Sequence, residues 1–421
     1  MNFMTTDIFS KCFEYDESTR VKAAGLYCFF RPIEETFAGT VVSDGKKRVM
    51  IGSNNYLGLT HHPRVMEAAK KAIDTYGTGF TGSRFLNGNT KLHEELEYTL
   101  AKFLGKEAAL VFATGFSANQ GALSCLVGKN DVIYSDQENH ASIIEGTKSA
   151  SGATLKFRHN DMADLENILK KTREQYQGAI IVADGVFSMS GDIIDLPQVY
   201  HLAKKYNARI YIDDAHALGV LGKRGEGSEG HFSSSYSADI LMGTFSKSLA
   251  SVGGYLASSQ KVIEFIKHRA RHFMFTAALS PSAAATALEC LKIIQTEPEH
   301  LQRLRKNTQK MSDALTQMGY YTLGSKTPII PLLIGDDMMA LAFTQKLYEN
   351  NVFATPVLRP AVPEGCALIR TSYMATHTDS DLDLVIDVME KVGKKFGILG
   401  NEEKKQQFDK IAEIHFGRRG L

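Results

Sequence analysis

Residues 238–256 read ADILMGTFSKSLASVGGYL. The stretch opens on Ile240-Leu241-Met242, an apolar run whose length predicts a short buried strand. The chain then turns through Gly243, Thr244, Phe245 and Ser246 to a single lysine, Lys247, and glycines follow at 253 and 254. Two readings fit a lysine just past a buried strand. It can snorkel from a loop with its charge in water. It can equally be an amine that forms a Schiff base with an aldehyde cofactor, with Thr244 and Ser246 near enough to bond a phosphate. The stretch alone leaves both open.

Upstream, from Ala109 to about Ser258, short apolar runs alternate with helical patterns, which predicts a mostly parallel sheet covered by helices. Ala109–Ala113 is the first strand, and Thr114-Gly115-Phe116 turns into a helix over Ser117–Leu126. Such a turn offers free backbone N–H groups and a positive helix end to an anion. Asp131–Tyr134, Ile180–Ala183 and Arg209–Ile212 are further strands. Polar residues collect just after each: His140 after the first, Ser188 after the second, Asp213 and His216 after the third. The carboxyl ends of parallel strands line up along one edge, where α/β proteins place their sites. Thr114, His140, Ser188, Asp213, His216 and Lys247 are therefore expected to face one crevice.

The flanks read differently. Residues 1–60 form an N-terminal arm, 61–295 a large α/β domain and 296–421 a smaller α+β domain. In the arm, Gly52-Ser53-Asn54-Asn55-Tyr56 is a polar turn; Asn55 either serves the turn or reaches into a pocket. Helices are expected over Arg64–Tyr76 and Leu92–Leu104. Between them, 77–88 holds four glycines in twelve residues, a loop with unusual backbone angles or a closely approaching ligand. A long amphipathic helix is expected over Ala283–Met318, then strands near Ile329–Ile334, Val352–Ala354 and Ala367–Ser372, with a helix over Met338–Asn350. Arg370, inside an apolar strand, is either a structural ion pair or the partner of an anion. The tail, Glu402–Leu421, reads as a charged surface helix that frays.

The 421 residues carry 48 basic and 47 acidic side chains. That balance gives no reason to expect a nucleic-acid partner. The five cysteines show no CxxC pair, so free thiols in a reducing compartment are expected, with no metal site assigned. The charged N-terminus is no signal peptide, and the one long uncharged run, Ala108–Gly128, is interrupted by polar residues and glycines. A cytoplasmic location is expected.

The motifs SNNYLGL, TGSRFLNG, TGFSANQG, NHASI, GVFSMSGD, DDAHALGVLG, GTFSKS, FTAALSP and LIRTSYMATHT, in this order over about residues 20–395, resemble those of the α-oxoamine synthases. These are pyridoxal-phosphate (PLP) enzymes of fold type I, aspartate-aminotransferase-like, with a mostly parallel seven-stranded sheet and a small C-terminal domain. GLYCFFRPI, GSRFLNG, FRHNDMADLE and GTFSKSLASVGGY are most similar to the soluble bacterial serine palmitoyltransferase branch. Ala217, where relatives often carry serine, is a departure.

The resemblance implies that Lys247 holds PLP and moves protons at the substrate α-carbon. It implies that Asp213 bonds the pyridine nitrogen, His216 the ring hydroxyl, and that His140 stacks on the ring with Ser188 nearby. Thr114, Gly115, Phe116, Thr244 and Ser246 would bind the phosphate, joined by Thr276 from a neighbouring subunit of a homodimer. Arg370 would bind the amino-acid carboxylate, with Asn55 and Ser83 assisting. The implied reaction condenses L-serine with a long-chain acyl-CoA, and product release would involve peripheral membrane contact. The alternatives are a sister synthase, using glycine and acetyl-CoA or alanine and a pimeloyl thioester, and a catalytically silent subunit of the same fold.

Overall fold

The computed structural model describes residues 7–233 and 235–416. Its centre is a seven-stranded sheet: β1 (Ala108–Phe112), β2 (Val132–Asp136), β3 (Ala153–Phe157), β4 (Ala179–Asp184), β5 (Arg209–Asp213), β6 (Ile240–Thr244) and β7 (Gly254–Ser258). Their spatial order is β1-β7-β6-β5-β4-β2-β3. Neighbours from β6 to β3 pair in parallel, while β7 runs antiparallel to both β1 and β6. The expected sheet is therefore present with the expected strand number.

Helices cover both faces, so the strands are apolar on both faces rather than alternating. The side chains still divide by the two-residue period. Ile133, Val182, Tyr211, Met242 and Leu256 pack on the side of helix Gly115–Leu126, together with Ala118 and Ala122. Tyr134, Ile181, Ile212, Leu241 and Tyr255 pack on the opposite side. Register then sets the site: Asp184 lies beside Asp213, and Asp213 beside Met242, at one level of the carboxyl edge.

A second core lies around the antiparallel sheet of Ile329–Gly335, Ala367–Ser372 and Thr355–Val357. Arg370 sits within it, opposite Pro331 and Thr355. The N-terminal 60 residues contribute strands Glu35–Thr36, Thr40–Ser43 and Lys46–Met50, which extend to Val352–Phe353 through a parallel pairing of Val49 with Val352.

Two expectations are corrected. The helix read over Ala283–Met318 is two helices, Pro281–Thr296 and Glu299–Gln317. Pro298 has no N–H to donate to the preceding turn and forces Glu297 out of helical geometry, to φ −126° and ψ 73°. The tail is not a fraying surface helix where it is described: Glu402–Phe416 buries Phe408, Ala412 and Phe416 against Tyr321, Leu333 and Leu368. Residues 417–421 lie outside the described part. Among the described residues no helix is long and apolar enough to cross a membrane.

Candidate active site

Along the carboxyl edge lies a cavity of about 200 Å³ lined by Thr114, Gly115, Phe116, His140, Asp213, His216, Thr244, Ser246 and Lys247. One wall is the start of helix Gly115–Leu126. Thr114 caps it by accepting from Ser117 N at 3.0 Å, and Ser117 Oγ accepts from Thr114 N at 3.2 Å. The N–H groups of Gly115 and Phe116 precede the first intrahelical bonds, so they remain for a ligand. Close packing brings β6 and β7 against this turn. A Cβ on Gly254 would lie 2.5 Å from Gly115 Cα, and one on Gly115 would lie 3.0 Å from Thr244. Glycine at both positions thus sets Thr244 and Ser246, 3.0 Å apart by their hydroxyls, beside the helix start. Thr244 Oγ1 donates to the Gly253 carbonyl at 2.8 Å, so the backbone N–H groups of the turn and the Ser246 hydroxyl are the donors gathered at this end of the cavity.

At the floor, Asp213 is buried. Its Oδ2 accepts from Asn119 Nδ2 at 2.7 Å and its Oδ1 from Ala215 N at 3.0 Å. Burial nonetheless pushes the carboxyl above its ordinary range. Its register neighbour Asp184 is pushed well above by burial and by Asp213 itself. Two adjacent buried acids disfavour each other's charge, and His140 and Lys247 oppose that rise at Asp213.

The histidines are oriented by their neighbours. Ser142 N donates to His140 Nδ1 at 3.2 Å and Ser142 Oγ lies 2.7 Å from the same atom, which leaves the ring proton on Nε2. The buried ring of His216 meets Tyr56 Oη at 2.6 Å through its Nδ1. Burial lowers both imidazoles, and for His216 Lys247, Arg370 and His140 add to it, well below the usual value. The Lys247 side chain makes no hydrogen bond or ion pair among the described residues. Burial first, then Arg370, lower its ammonium, with Asp213 opposing. A lowered lysine carries a larger share of free amine, the form that attacks carbonyls.

His140, His216 and Lys247 also line a second, larger cavity of about 1250 Å³. Ser188 and Arg370 belong to it. Arg370 Nε donates to the Ser188 carbonyl at 2.6 Å and Nη2 to Asn54 Oδ1 at 2.9 Å. Ser188 therefore contributes its carbonyl to the guanidinium's placement. The reading of Asn55 as a pocket amide does not hold. Its Nδ2 donates to Thr60 Oγ1 at 2.9 Å, within the turn, and Asn54 is the asparagine that lines the cavity. Ser83 is buried, its hydroxyl without a hydrogen-bond partner among the described residues, and its backbone bridges Ala277, beside Thr276. Neither Ser83 nor Thr276 lines the two cavities of this chain.

Sequence reasoning missed Asn119, Ser142 and Tyr56. Asn119 is wholly buried; its Nδ2 donates to both Asp213 and Ser142, and its Oδ1 accepts from Tyr211 Oη at 2.7 Å. It thereby couples the floor acid to His140. The signal available was an asparagine one turn into a helix that opens on a phosphate-type turn.

The model of the aminotransferase class I and II family matches residues 46–389. The chain belongs to this family. As an aminotransferase-family chain it has relatives of more than one activity. It is 54% identical to a serine palmitoyltransferase of Bacteriovorax stolpii over 89% of both chains. It is 43% identical to an 8-amino-7-oxononanoate synthase of Treponema denticola, over 90% of this chain and 96% of that one. A serine palmitoyltransferase of S. paucimobilis, solved with bound PLP–myriocin aldimine, superposes with a TM-score of 0.90 at 32% identity, over 94% of this chain and all of that one.

The residues here fit PLP. Asp213, fixed by Asn119 and the Ala215 N–H and lining the small cavity, suits a pyridine nitrogen. The unbonded Lys247 amine suits an aldehyde, and the Gly115–Phe116 turn with Thr244 and Ser246 suits a phosphate.

Proposed function

We propose that this chain is a serine palmitoyltransferase, condensing L-serine with palmitoyl-CoA to 3-ketosphinganine, CoA and carbon dioxide. One observation carries the reading: the small cavity that fits PLP and the large cavity share His140, His216 and Lys247 as lining. A reacting carbon at the junction has cofactor chemistry on one side and room for an acyl chain on the other. The larger cavity is lined by apolar side chains including Val21, Tyr27, Phe29, Leu341, Val357 and Leu358. Its volume exceeds the usual span for small-molecule sites, about 300–1,000 Å³, and suits a long acyl thioester.

PLP, when bound, supplies an electron sink for a carbanion at the amino acid's α-carbon. The chain's own residues do the rest. Lys247 would hold the aldehyde, Asp213 the pyridine nitrogen and His216 the ring hydroxyl; the turn at Gly115, Thr244 and Ser246 would hold the phosphate. Arg370, aimed by Asn54 and the Ser188 carbonyl, fixes the substrate carboxylate. Lys247, an amine of lowered basicity at the junction, would take the α-proton and later return one to the product carbon. His140, with its proton on Nε2, presents a donor over the same space, suited to the acyl carbonyl as negative charge develops there.

We further read the chain as a homodimer, with Thr276 serving the partner's phosphate site. The 43% identical relative keeps one second reading in play, alanine with a pimeloyl thioester. The PLP-loaded protein given L-serine and palmitoyl-CoA should release CoA and form 3-ketosphinganine, detected by mass spectrometry. Turnover of alanine and pimeloyl-CoA in its place would move the chain to the sister activity.

A further inference from the structure

Away from both cavities, three side chains from two distant parts of the sequence meet at the elbow between the helices Pro281–Thr296 and Glu299–Gln317. They are His62, which precedes helix Pro63–Tyr76, Glu297 at the elbow, and His300 in the next turn. Their ligand atoms all lie within 4.8 Å of one another. His62 Nε2 is 3.6 Å and His300 Nε2 3.4 Å from the same oxygen, Glu297 Oε2.

Those separations are long for hydrogen bonds between charged groups, about 2.7–2.9 Å. They match another geometry. Ligands at about 2.0–2.2 Å from a tetrahedral zinc ion are about 3.3–3.5 Å apart. The other carboxylate oxygen is already engaged: Arg64 bonds Glu297 Oε1, and Glu289 in turn bonds Arg64 at 2.6 Å. Arg64 is thus neutralised by a second acid, and its contact with Oε1 leaves Oε2 turned to the histidines. All three side chains are partly exposed, between 16% and 24%, so the ion has an entry path and a water for its fourth position.

We propose that His62, Glu297 and His300 form a binding site for a zinc-class divalent cation that clamps the elbow to the start of helix Pro63–Tyr76. Two imidazoles and a carboxylate are a borderline-soft set, suited to zinc, cobalt or nickel over magnesium or calcium. His62 Nδ1 is buried without a hydrogen-bond partner among the described residues. A ligating histidine ordinarily has its other nitrogen supported, so micromolar rather than structural-zinc affinity is expected. The site is independent of the reaction proposed above.

The test uses the full, untagged, PLP-loaded chain, stripped with chelator and titrated with zinc chloride against a chromophoric competitor at pH 7.5. One saturable equivalent per chain is expected, with a higher melting temperature and, for cobalt, the visible absorption of a tetrahedral site. His300→Ala and His62→Gln should each lose the equivalent while keeping the PLP absorbance and the melting temperature of the stripped protein. No equivalent in the parent chain, or an equivalent retained in both variants, overturns the proposal.

Discussion

Asn119 donates to Asp213 and to Ser142, which holds His140, so one amide orients two of the groups assigned to PLP. Asn119→Ala leaves the buried Asp213 with one backbone donor and drives its carboxyl further toward the neutral form. The expected result is weaker PLP retention and a displaced pH titration of the cofactor absorbance, with Asn119→Asp failing to restore either because it adds a third buried acid. Unchanged retention would contradict the coupling. Arg370→Lys replaces a planar, doubly anchored guanidinium by a point charge. It should raise the KM for L-serine by about 10- to 100-fold, equivalent to about 1.4–2.7 kcal/mol, and leave PLP binding intact. At this scale Lys247, Asp213, His216 and His140 stood out in the sequence because each follows a strand and carries chemistry. Asn54 was legible only as one of two adjacent asparagines. Which of the pair faces the cavity depends on how the turn packs, since Asn55 spends its amide on Thr60.

Elements carry their own consequences. His93 is buried in the first turn of helix Lys91–Leu104, its Nδ1 2.9 Å from Thr90 Oγ1 and its Nε2 3.0 Å from the Leu279 carbonyl. That pattern suits the neutral ring, and burial with Arg84 lowers its pKa from 6.5 to about 4. Between those values the unfolded chain binds a proton that the folded chain does not. Stability that is fully present above pH 6.5 is therefore lost as pH falls toward 4, by about 3 kcal/mol. Asp214, raised by burial to about 7, works in the opposite sense over an overlapping window. The difference between parent and His93→Gln isolates the histidine: urea midpoints between pH 7 and pH 4.5 should fall more steeply in the parent. Parallel pH dependences would contradict it. The parallel strands were legible because their apolar runs are short and end in polar clusters. The elbow was not, since the amphipathic period runs on from Ala283 through Pro298 to Met318 and only the missing N–H breaks it. Nor could spacing reveal a meeting of His62 with His300, which depends on how helices pack.

For the whole molecule, the unexplained surface is apolar: Phe85, Leu86 and Phe275 are 48%, 78% and 77% exposed, and the segments carrying them are bridged by Ser83 and Ala277. Read as a homodimer face, with Thr276 beside Phe275, it predicts that Phe275→Asp shifts sedimentation from dimer to monomer and lowers activity with it. A parent chain that sediments as a monomer at micromolar concentration would contradict that assembly. The proposed condensation takes place at the junction of the two cavities. It is tested most directly by titrating the PLP-loaded protein with L-serine, glycine and L-alanine while following the cofactor absorbance, then adding palmitoyl-CoA and measuring thiol release. L-Serine should perturb the spectrum at the lowest concentration and support CoA release, and Lys247→Ala should abolish the release. A spectrum that answers to alanine and not to serine, or release that persists without Lys247, would contradict it.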